Sequence, residues 1–562
     1  MNNILTNENV IVFVSIAAIM LIVFVVLSWG MQWRRREKNR SRMKFYYGRW
    51  RDVYYSDEVL SIIKEYTQSK ECLIDEITWN DLNMDDVFQK INHTWSFAGE
   101  DYLYYLMHVP VNSKKDWKDQ EELIRYYQEH ERERIELQML FGKIGKYHGA
   151  SIYSYISRSI EMNTHTPLVH YLCPIALAIA IGSLFFNPAE GVGFLILVVI
   201  TNIGLYFSKR RAIENSMQAL QYFLNLQKAA GNILKKKLVV NEYYREMLQK
   251  DYTSVKKYLG WTTMLKPADW GNQSLEEIVL DYFRLVTHLD NILFYRCMRR
   301  LKQNMNAVEN LITTMGFLES IIAIGSLRKA LPYYCVPEFS EGRQLEIQDA
   351  YHPLIEEPIA NSICAEKGIL ITGSNASGKS TFLKTVAINA IMAQGLHTCA
   401  ANIYRGPWCH IFSSMALRDN IYQGESYFIA EIKALKRILE AKDENLPVLC
   451  FVDEVLRGTN TVERIAASTQ VLREFQRRNI LCFAATHDIE LTFLLENEFE
   501  NYHFQEQIQE GEVLFDYRLY KGRSNSRNAI RLLELLGYET DIVEGANEMV
   551  ARFLKNGKWS LE

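Results

Sequence analysis

The chain has 562 residues, of which 48% are hydrophobic and 23% charged, with a formal net charge of −4. This length allows several domains with a large buried core, and the composition excludes a disordered chain and a small disulfide-rich module. The nine cysteines are spread singly, without the paired spacing of a metal site, and we expect reduced thiols.

The N-terminal segment has the pattern of a membrane anchor. Val10 to Trp29 is a run of twenty uncharged residues, long enough to cross the hydrocarbon core of a bilayer as a helix. Three arginines follow at 34–36, whereas residues 1–9 carry only Glu8 as a charged side chain, unlike a cleavable signal peptide. Because basic residues favour the cytoplasmic side, we predict a retained anchor with its N-terminus outside.

A second apolar region predicts a transmembrane helical hairpin. Its arms are Leu168–Phe186 and Gly191–Phe207, and the turn between them contains Asn187 and Pro188. Basic residues flank the pair and none lies in the turn, so we expect both open ends in the cytoplasm. A buried pair of core helices is the alternative, because one histidine and two prolines lie in or beside the first arm.

The region that follows is predicted to be mainly helical. From Ser274 to Arg328, apolar residues recur at spacings of three and four, which predicts one long helix or two nearly continuous ones. Such a rod can act as a lever that transmits motion, and a plain scaffold is the alternative.

Residues 373–381 predict a phosphate-binding loop, because they lie between an apolar strand (368–372) and a helix-like run. The glycines let consecutive N–H groups point at phosphates, Lys379 brings a charge to the β/γ-phosphates, and the Ser380 hydroxyl can bind Mg²⁺. We therefore expect a bound nucleotide. The loop residues are Gly373, Ser374, Asn375, Ala376, Ser377, Gly378, Lys379, Ser380 and Thr381.

Two further apolar runs, 447–452 and 480–485, predict buried strands that end in polar residues. The first is followed by Asp453 and Glu454, and the second by Thr486, His487 and Asp488. Ligands of open α/β sheets bind at the carboxyl ends of strands, so Asp453 is predicted to hold Mg²⁺ and Glu454 to polarise the attacking water. His487 is predicted to sense the γ-phosphate.

Four segments in this order resemble the MutS family of ABC-type ATPases. They are the phosphate loop, Ser-Tyr-Phe-Ile-Ala-Glu (426–431), Asp-Glu-Val-Leu-Arg-Gly-Thr (453–459) and Ala-Thr-His (485–487). The resemblance is strong from Leu318 to Phe553, and a weaker similarity to the helical core of the family appears at 81–88 and 99–106.

The resemblance implies a homodimer that binds ATP and Mg²⁺ between one subunit's phosphate loop and the other subunit's Ser426. It also implies that Asn375 contacts the γ-phosphate or water, and that Tyr351 and His352 are candidates for stacking on adenine, with a structural role as the alternative. One departure is Ala376-Ser377, where many members have Met-Gly. The mismatch-sensing members carry an N-terminal Phe-x-Glu wedge; the matches here at 339–341 and 504–506 lie beside or within the ATPase region, and neither can be the wedge.

The predicted fold class is an α/β C-terminal ABC-type, MutS-like P-loop ATPase domain with a mainly α-helical core and lever region and about three transmembrane helices. The predicted domains are an anchor (1–33), a helical core-like region (34–165), a membrane hairpin (166–211), lever helices (212–332) and the ATPase domain (333–562).

Three functions agree with these features. The first and favoured one is an ATPase in the cell membrane, multi-pass with its ATPase domain cytoplasmic, whose dimer drives the lever against an unknown protein partner or DNA. The second is a membrane-tethered DNA repair or recombination factor with a reduced clamp at 212–272. The net charge gives it no support, and we interpret the basic runs 235–237 and 299–300 first as solvated helix faces. The third, a transporter ATPase, is disfavoured because the Leu-Ser-Gly-Gly-Gln signature is missing.

Overall fold

The computed structural model describes residues 7–51, 53–68, 72–109, 114–146, 166–256, 282–374, 377–415, 427–441, 446–457, 459–509, 512–524, 530, 533–534 and 537–557. The chain divides into two compact units. Unit 1 comprises residues 1–66, 92–103 and 119–330, and unit 2 comprises residues 67–91, 104–118 and 331–562. The predicted helical region 34–165 is thus shared between the two units, and the predicted ATPase region lies in unit 2.

Helices form the part of the chain that precedes the first strand. They are α1 (Asn7–Tyr46), α2 (Asp57–Gln68), α3 (Glu76–Asp81), α4 (Met84–Ile91), α5 (Phe97–His108), α6 (Lys114–Glu129), α7 (Glu131–Ile144), α8 (Leu168–Phe186), α9 (Pro188–Lys235), α10 (Glu242–Lys256), α11 (Leu289–Lys302) and α12 (Met305–Ala330). Residues 282–287 are also helical.

Helix α12 is the interior helix of unit 1. Nearly every residue from Leu311 to Arg328 is buried, because this helix is apolar on all sides. The carboxylate of Glu319 accepts hydrogen bonds from the backbone N–H groups of Trp95 and Ser96 and from the Ser96 hydroxyl. Glu319 therefore caps the N-terminus of α5, where the helix dipole favours a negative charge.

The predicted rod from Ser274 to Arg328 is interrupted in the structure. Residues 274–281 lie outside the described residues, His288 has a left-handed backbone conformation (φ 55°), and a turn separates α11 from α12. In that turn the Asn304 N–H donates to the Leu301 carbonyl at 2.9 Å. Residues 289–330 thus adopt the second of the two predicted forms, two nearly continuous helices.

The apolar hairpin consists of α8 and α9, but its second arm does not end near Phe207 as expected. Helix α9 starts at Pro188 and continues through the basic residues 209–211 to Lys235, and Asn187 alone separates the two helices. The reason is that Pro188 occupies the first helical position, where proline is tolerated, and no breaker follows Phe207. The start of the proposed reduced clamp at 212–272 is thus a continuation of α9, and residues 257–272 lie outside the described residues.

Among the residues that the structure describes, three helical segments are long and apolar enough to cross a membrane by length and composition: 168–186, 188–209 and 305–330. The apolar windows of the first two are 17% and 22% buried, whereas that of the third is 89% buried. We therefore treat α12 as a core helix. The predicted anchor, Val10 to Trp29, lies within α1.

Unit 2 contains two sheets. Their strands are β1 (Glu338–Phe339), β2 (Leu345–Ala350), β3 (Asn361–Ala365), β4 (Gly368–Thr372), β5 (Ile403–Gly406), β6 (His410–Ser414), β7 (Val448–Asp453), β8 (Ile480–Ala485), β9 (Phe499–Gln509) and β10 (Glu512–Lys521). The helices of this region are α13 (Lys379–Leu396), α14 (Tyr427–Glu440), α15 (Thr461–Arg477), α16 (Ile489–Leu494) and α17 (Thr540–Asn556).

The larger sheet has the strand order β10-β9-β4-β8-β7-β6, and all neighbours are parallel except β9 and β10. The smaller sheet has the order β1-β5-β2-β3. Strands β4 and β8 are buried along their whole length, which explains their unbroken apolar sequences. Ala485 is paired with Ile371 on one side and with Asp453 on the other, so β4, β8 and β7 end side by side.

The short helix α3 also belongs to this unit. Asp81, at its end, accepts hydrogen bonds from the Ser413 hydroxyl at 2.7 Å and from the Met415 N–H at 2.9 Å, and Thr78 accepts one from the Ser413 N–H at 3.0 Å. Burial raises the pKa of Asp81, and the hydrogen bond from Ser413 opposes that rise. The segment that weakly resembles the family core is thus joined to the edge strand β6.

Candidate nucleotide site

The loop between β4 and α13 has a backbone that requires glycine at two positions. Gly373 has φ 149° and Gly378 has φ 106°. A Cβ atom at Gly373 would lie 2.9 Å from the Phe504 carbonyl oxygen and 2.9 Å from the Ser377 Oγ, so no side chain fits there. The loop therefore presents bare backbone at the carboxyl end of β4, as phosphate binding needs.

Lys379 begins α13 and its side chain is buried within the loop. Its ammonium group donates to the carbonyl of Gly373 at 2.9 Å and to that of Ser374 at 2.8 Å. Burial lowers the pKa of Lys379, and the carboxylates of Asp453 and Glu454 oppose this effect. A buried cation at the start of α13, bonded to the loop backbone, fits a phosphate group.

Ser380 and Asp453 meet at the same place. The Ser380 hydroxyl donates to the Asp453 carboxylate at 2.5 Å, which joins the start of α13 to the end of β7. A hydroxyl and a carboxylate are oxygen ligands of the kind that Mg²⁺ takes from proteins when phosphates and water complete its shell. Within the described part of the chain, no group of three or more His, Cys, Asp or Glu side chains is placed to hold a metal ion.

Glu454 follows directly and has both carboxylate oxygens engaged. Its Oε1 lies 3.0 Å from His487 Nε2, and its Oε2 lies 2.9 Å from Arg457 Nε. The hydrogen bond from His487 lowers the pKa of Glu454, and the charge of Arg457 adds to this. Glu454 is therefore ionised at neutral pH.

The loop that carries His487 is fixed at both ends. The Thr486 N–H donates to the Ile371 carbonyl at 3.0 Å, and the Asp488 N–H donates to the Thr486 hydroxyl at 3.0 Å. Arg464 of α15 donates to both oxygens of Asp488, at 2.9 and 2.6 Å. This bidentate pair holds the imidazole next to Glu454.

Two acidic residues at the site were not identified from the sequence as part of it. Glu506 of β9 accepts a hydrogen bond from the Ser374 hydroxyl, although its Phe-x-Glu motif drew attention only as a possible wedge. Glu431 of α14 is buried and accepts a hydrogen bond from the Arg457 N–H at 3.2 Å. Burial raises the pKa of Glu431. The sequence signal that could have identified Glu431 is its position as the final residue of the segment Ser-Tyr-Phe-Ile-Ala-Glu.

The remaining predicted residues divide as follows. Asn375, Ala376 and Ser426 lie outside the described residues. Ser377 is buried in the loop, and Thr381 is exposed in the first turn of α13.

Tyr351 is buried, and its hydroxyl donates to the Tyr333 carbonyl at 2.7 Å, so its role is structural and it is not free to stack on a base. The His352 Nδ1 accepts a hydrogen bond from the Leu354 N–H at 3.3 Å. Burial lowers the pKa of His352 to about 4, so its ring is neutral at physiological pH.

Comparison with known proteins agrees with this site. The model of the family described as MutS domain V matches residues 369–554. The chain is 27% identical over 318 residues to the DNA mismatch repair protein MutS of Thermus aquaticus, which covers 55% of this chain and 38% of that protein. It is 25% identical over 361 residues to MutS of Thermus thermophilus (61% and 43%), and 28% identical over 300 residues to the human MutS protein homolog 4 (50% and 31%). The chain thus spans less than half the length of these relatives.

Proposed function

We propose that this chain, which belongs to the MutS family, is an ATPase that binds and hydrolyses ATP with Mg²⁺ at the face between two copies of unit 2. The observation that carries the proposal is the meeting of three strand ends. The phosphate loop after β4, Asp453 and Glu454 after β7, and His487 after β8 form one edge of a parallel sheet.

Each side chain has a role that follows from its chemistry. Lys379, which brings a buried charge to the loop, and the loop N–H groups would hold the phosphates. Ser380 and Asp453 would hold a Mg²⁺ ion, which would neutralise charge on the phosphates. Thr381 lies beside them at the start of α13, and Asn375 is assigned to the γ-phosphate from the family resemblance.

Glu454 orients the attacking water. Because its pKa is lowered, Glu454 is a weak base, and its ionised oxygens accept hydrogen bonds better than they remove a proton. His487 holds this carboxylate in place through the 3.0 Å contact to Oε1.

The second subunit completes the site in this proposal. Ser426 precedes α14, so the N-terminus of that helix would favour the negative charge of a γ-phosphate bound by the partner subunit. Glu431 joins α14 to the N–H of Arg457, three residues beyond Glu454. A shift of α14 on dimer closure would therefore reach the loop that carries Glu454.

We place the protein in the cell membrane, with unit 2 in the cytoplasm. The observations that support this are the weakly buried apolar helices α8 and the first part of α9, and the apolar segment of α1 followed by arginines. The ATP cycle would act through the helices of unit 1, as a lever, on a protein partner or on DNA.

Exchange of Glu454 for glutamine tests the catalytic role. Glu454→Gln should keep ATP binding, lower turnover about a hundredfold or more, and leave the ATP-bound dimer trapped. ATP binding, phosphate release and light scattering with ATP measure the three properties. Glu474→Gln, on the exposed pair with Arg478, is the matched control and should behave as the wild type. Equal loss of binding and turnover in a folded Glu454→Gln variant would contradict this role.

Removal of the loop cation tests the nucleotide site itself. Lys379→Ala should abolish detectable ATP binding, because the phosphates lose a buried charge. Lys384→Ala, further along α13, removes a lysine that instead donates to Asn83 at 2.7 Å, and should bind ATP normally. Wild-type affinity in Lys379→Ala, measured by equilibrium dialysis, would refute the assignment.

A second candidate function is DNA binding, which the names of the bacterial relatives, DNA mismatch repair proteins, favour. Within unit 1, Lys236 is engaged by Glu136, which leaves fewer free cations for phosphates. Duplex binding that strengthens with ATP and weakens steeply with salt would support this candidate, and no binding at low salt would remove it.

A further inference from the structure

Unit 2 has a second charged concavity, away from the phosphate loop. It is a shallow cleft of about 300 Å³, and polar side chains alone line it: Arg343, Lys367, Arg473, Gln476, Arg477, Asn497 and Glu498. We call these seven residues the basal cleft. Lys367 precedes the first residue of β4, whereas the phosphate loop follows its last residue, so the two lie at opposite ends of the same strand.

The basal cleft carries an excess of positive charge. Four cations face one carboxylate, Glu498, and they come from three separate parts of the chain: Arg343 precedes β2, Lys367 precedes β4, and Arg473 and Arg477 lie in the C-terminal part of α15. A cation in the last turn of a helix offsets the helix dipole, which accounts for Arg477. It does not account for Arg343 or Lys367.

These cations are only partly neutralised. Arg473 Nε lies 3.1 Å from Glu498, and Arg477 lies 3.7 Å from Glu474, which is too long for a good hydrogen bond. The Lys367 ammonium group donates to the Asn497 carbonyl at 3.1 Å and has two further N–H groups. Arg343 has no ion pair or hydrogen bond to any described residue.

The cleft also contains an unsatisfied donor. The Gln476 Nε2 atom is buried and has no hydrogen-bond partner in the part of the chain that the structure describes. A Cβ atom at Gly368 would lie 2.5 Å from this nitrogen, so glycine there makes room for the amide at the start of β4. A buried donor without an acceptor is costly, and an anion beside it would remove that cost.

We propose that the basal cleft binds a compact, multiply charged phosphate group, independently of the nucleotide site. Guanidinium forks and an amide donor match phosphate oxygens, and a volume of about 300 Å³ suits a small ligand. The phosphate is either free, as in a diphosphate, or the exposed phosphomonoester of a lipid headgroup.

The test uses the full-length protein in detergent with Lys379→Ala, which disables the nucleotide site. Inorganic pyrophosphate is titrated by calorimetry, and binding should be detected and weaken with salt. Arg343→Glu and, separately, Arg477→Glu should each weaken it at least about tenfold. Lys436→Glu changes the same charge at an exposed residue of α14 outside the cleft, and should stay within about twofold.

A second arm identifies the source of the phosphate. Short-chain phosphatidic acid in micelles is compared with phosphatidylcholine. Binding of pyrophosphate alone assigns a free phosphate, and tighter binding of phosphatidic acid that is lost in Arg343→Glu assigns a headgroup. Absence of binding of both probes, or equal affinity in Arg343→Glu, Arg477→Glu and Lys436→Glu, overturns the proposal. None of these results depends on ATP hydrolysis. The experiment therefore tests phosphate binding in the basal cleft independently of the proposed ATPase function.

Discussion

Glu454 and Leu456 both have left-handed backbone conformations, with φ values of 59° and 58°. This conformation costs non-glycine residues about 1–2 kcal/mol each and persists only where surrounding contacts enforce it. Here the Glu454 N–H donates to the Ala485 carbonyl at 3.0 Å, and the Arg457 N–H donates to Glu431 at 3.2 Å. The strained loop thus turns the Glu454 carboxylate away from β7 and toward His487.

Removal of the imidazole should change the titration of Glu454. In His487→Ala the pKa of Glu454 should rise, because the hydrogen bond from His487 is the largest cause of its lowering. The acid limb of the single-turnover rate profile should therefore move to higher pH, and the rate at neutral pH should fall about a hundredfold.

His487→Asn retains an N–H donor and serves as the control, with a smaller displacement of the acid limb. An acid limb at the same pH in the wild type and in His487→Ala would show that the contact between His487 and Glu454 does not govern the titration.

At the scale of elements, the N-terminus of α5 is joined to α12 by one carboxylate. Burial raises the pKa of Glu319 to about 7, although the hydrogen bonds from Ser96 and Trp95 favour its ionised form. Gly99 allows this contact, since a Cβ atom there would collide with the Glu319 carboxylate. The ionised Glu319 carboxylate is therefore stabilised by the dipole of α5 and destabilised by the loss of its hydration.

The contact between Glu319 of α12 and the N-terminus of α5 should weaken as the pH rises. The folded protein binds the proton of Glu319 more tightly than the unfolded chain, whose glutamate has a pKa near 4.5. Stability is thus highest below that value and falls by about 3 kcal/mol as the pH rises through 7.

Glu319→Gln keeps an acceptor for the N–H groups but cannot titrate, so it should flatten this dependence. Hydrogen exchange of α5 and α12 peptides between pH 5 and 8, corrected for intrinsic exchange, measures it. An equally steep loss of protection in Glu319→Gln would assign the effect to another group.

The elements around the phosphate loop were predictable from sequence, because β4, β7 and β8 are buried on both faces and their apolar runs end in the polar residues of the site. The hydrogen-bond partners of those site residues could not be predicted from the sequence. Glu506 and Glu431 reach the site through the pairing of β9 with β4 and the placement of α14, which no local pattern specifies. The end of α9 was missed for a related reason: a helix that passes from an apolar to a polar sequence without a breaker has no local stop signal.

At the scale of the whole molecule, α8 and the first part of α9 are unlike the other apolar helices. Phe185 and Phe186 are 86% and 93% exposed, and the apolar window of α8 is only 17% buried, against 89% for α12. Asn202 of α9 donates to the carbonyl of Cys173 in α8 at 3.1 Å and to that of Val286, in the helical segment 282–287, at 2.9 Å, so polar contacts join the two helices to each other and to that segment. An apolar surface of this extent is stable in lipid rather than in water.

Labelling of the hairpin turn distinguishes a membrane hairpin from a pair of helices covered by protein. Ala189→Cys, in the exposed first turn of α9, should react with a membrane-impermeant maleimide in intact cells. The reason is that the turn between the two arms is predicted to lie on the extracytoplasmic side of the membrane. Glu214→Cys, beyond the basic residues of α9, is the matched control and should react only after permeabilisation, since positive charge favours the cytoplasmic side. Mass spectrometry of the labelled peptides separates these sites from the native cysteines. If both cysteines require permeabilisation, the hairpin does not cross the bilayer, and the apolar surface of α8 is instead covered by another protein surface in the cytoplasm.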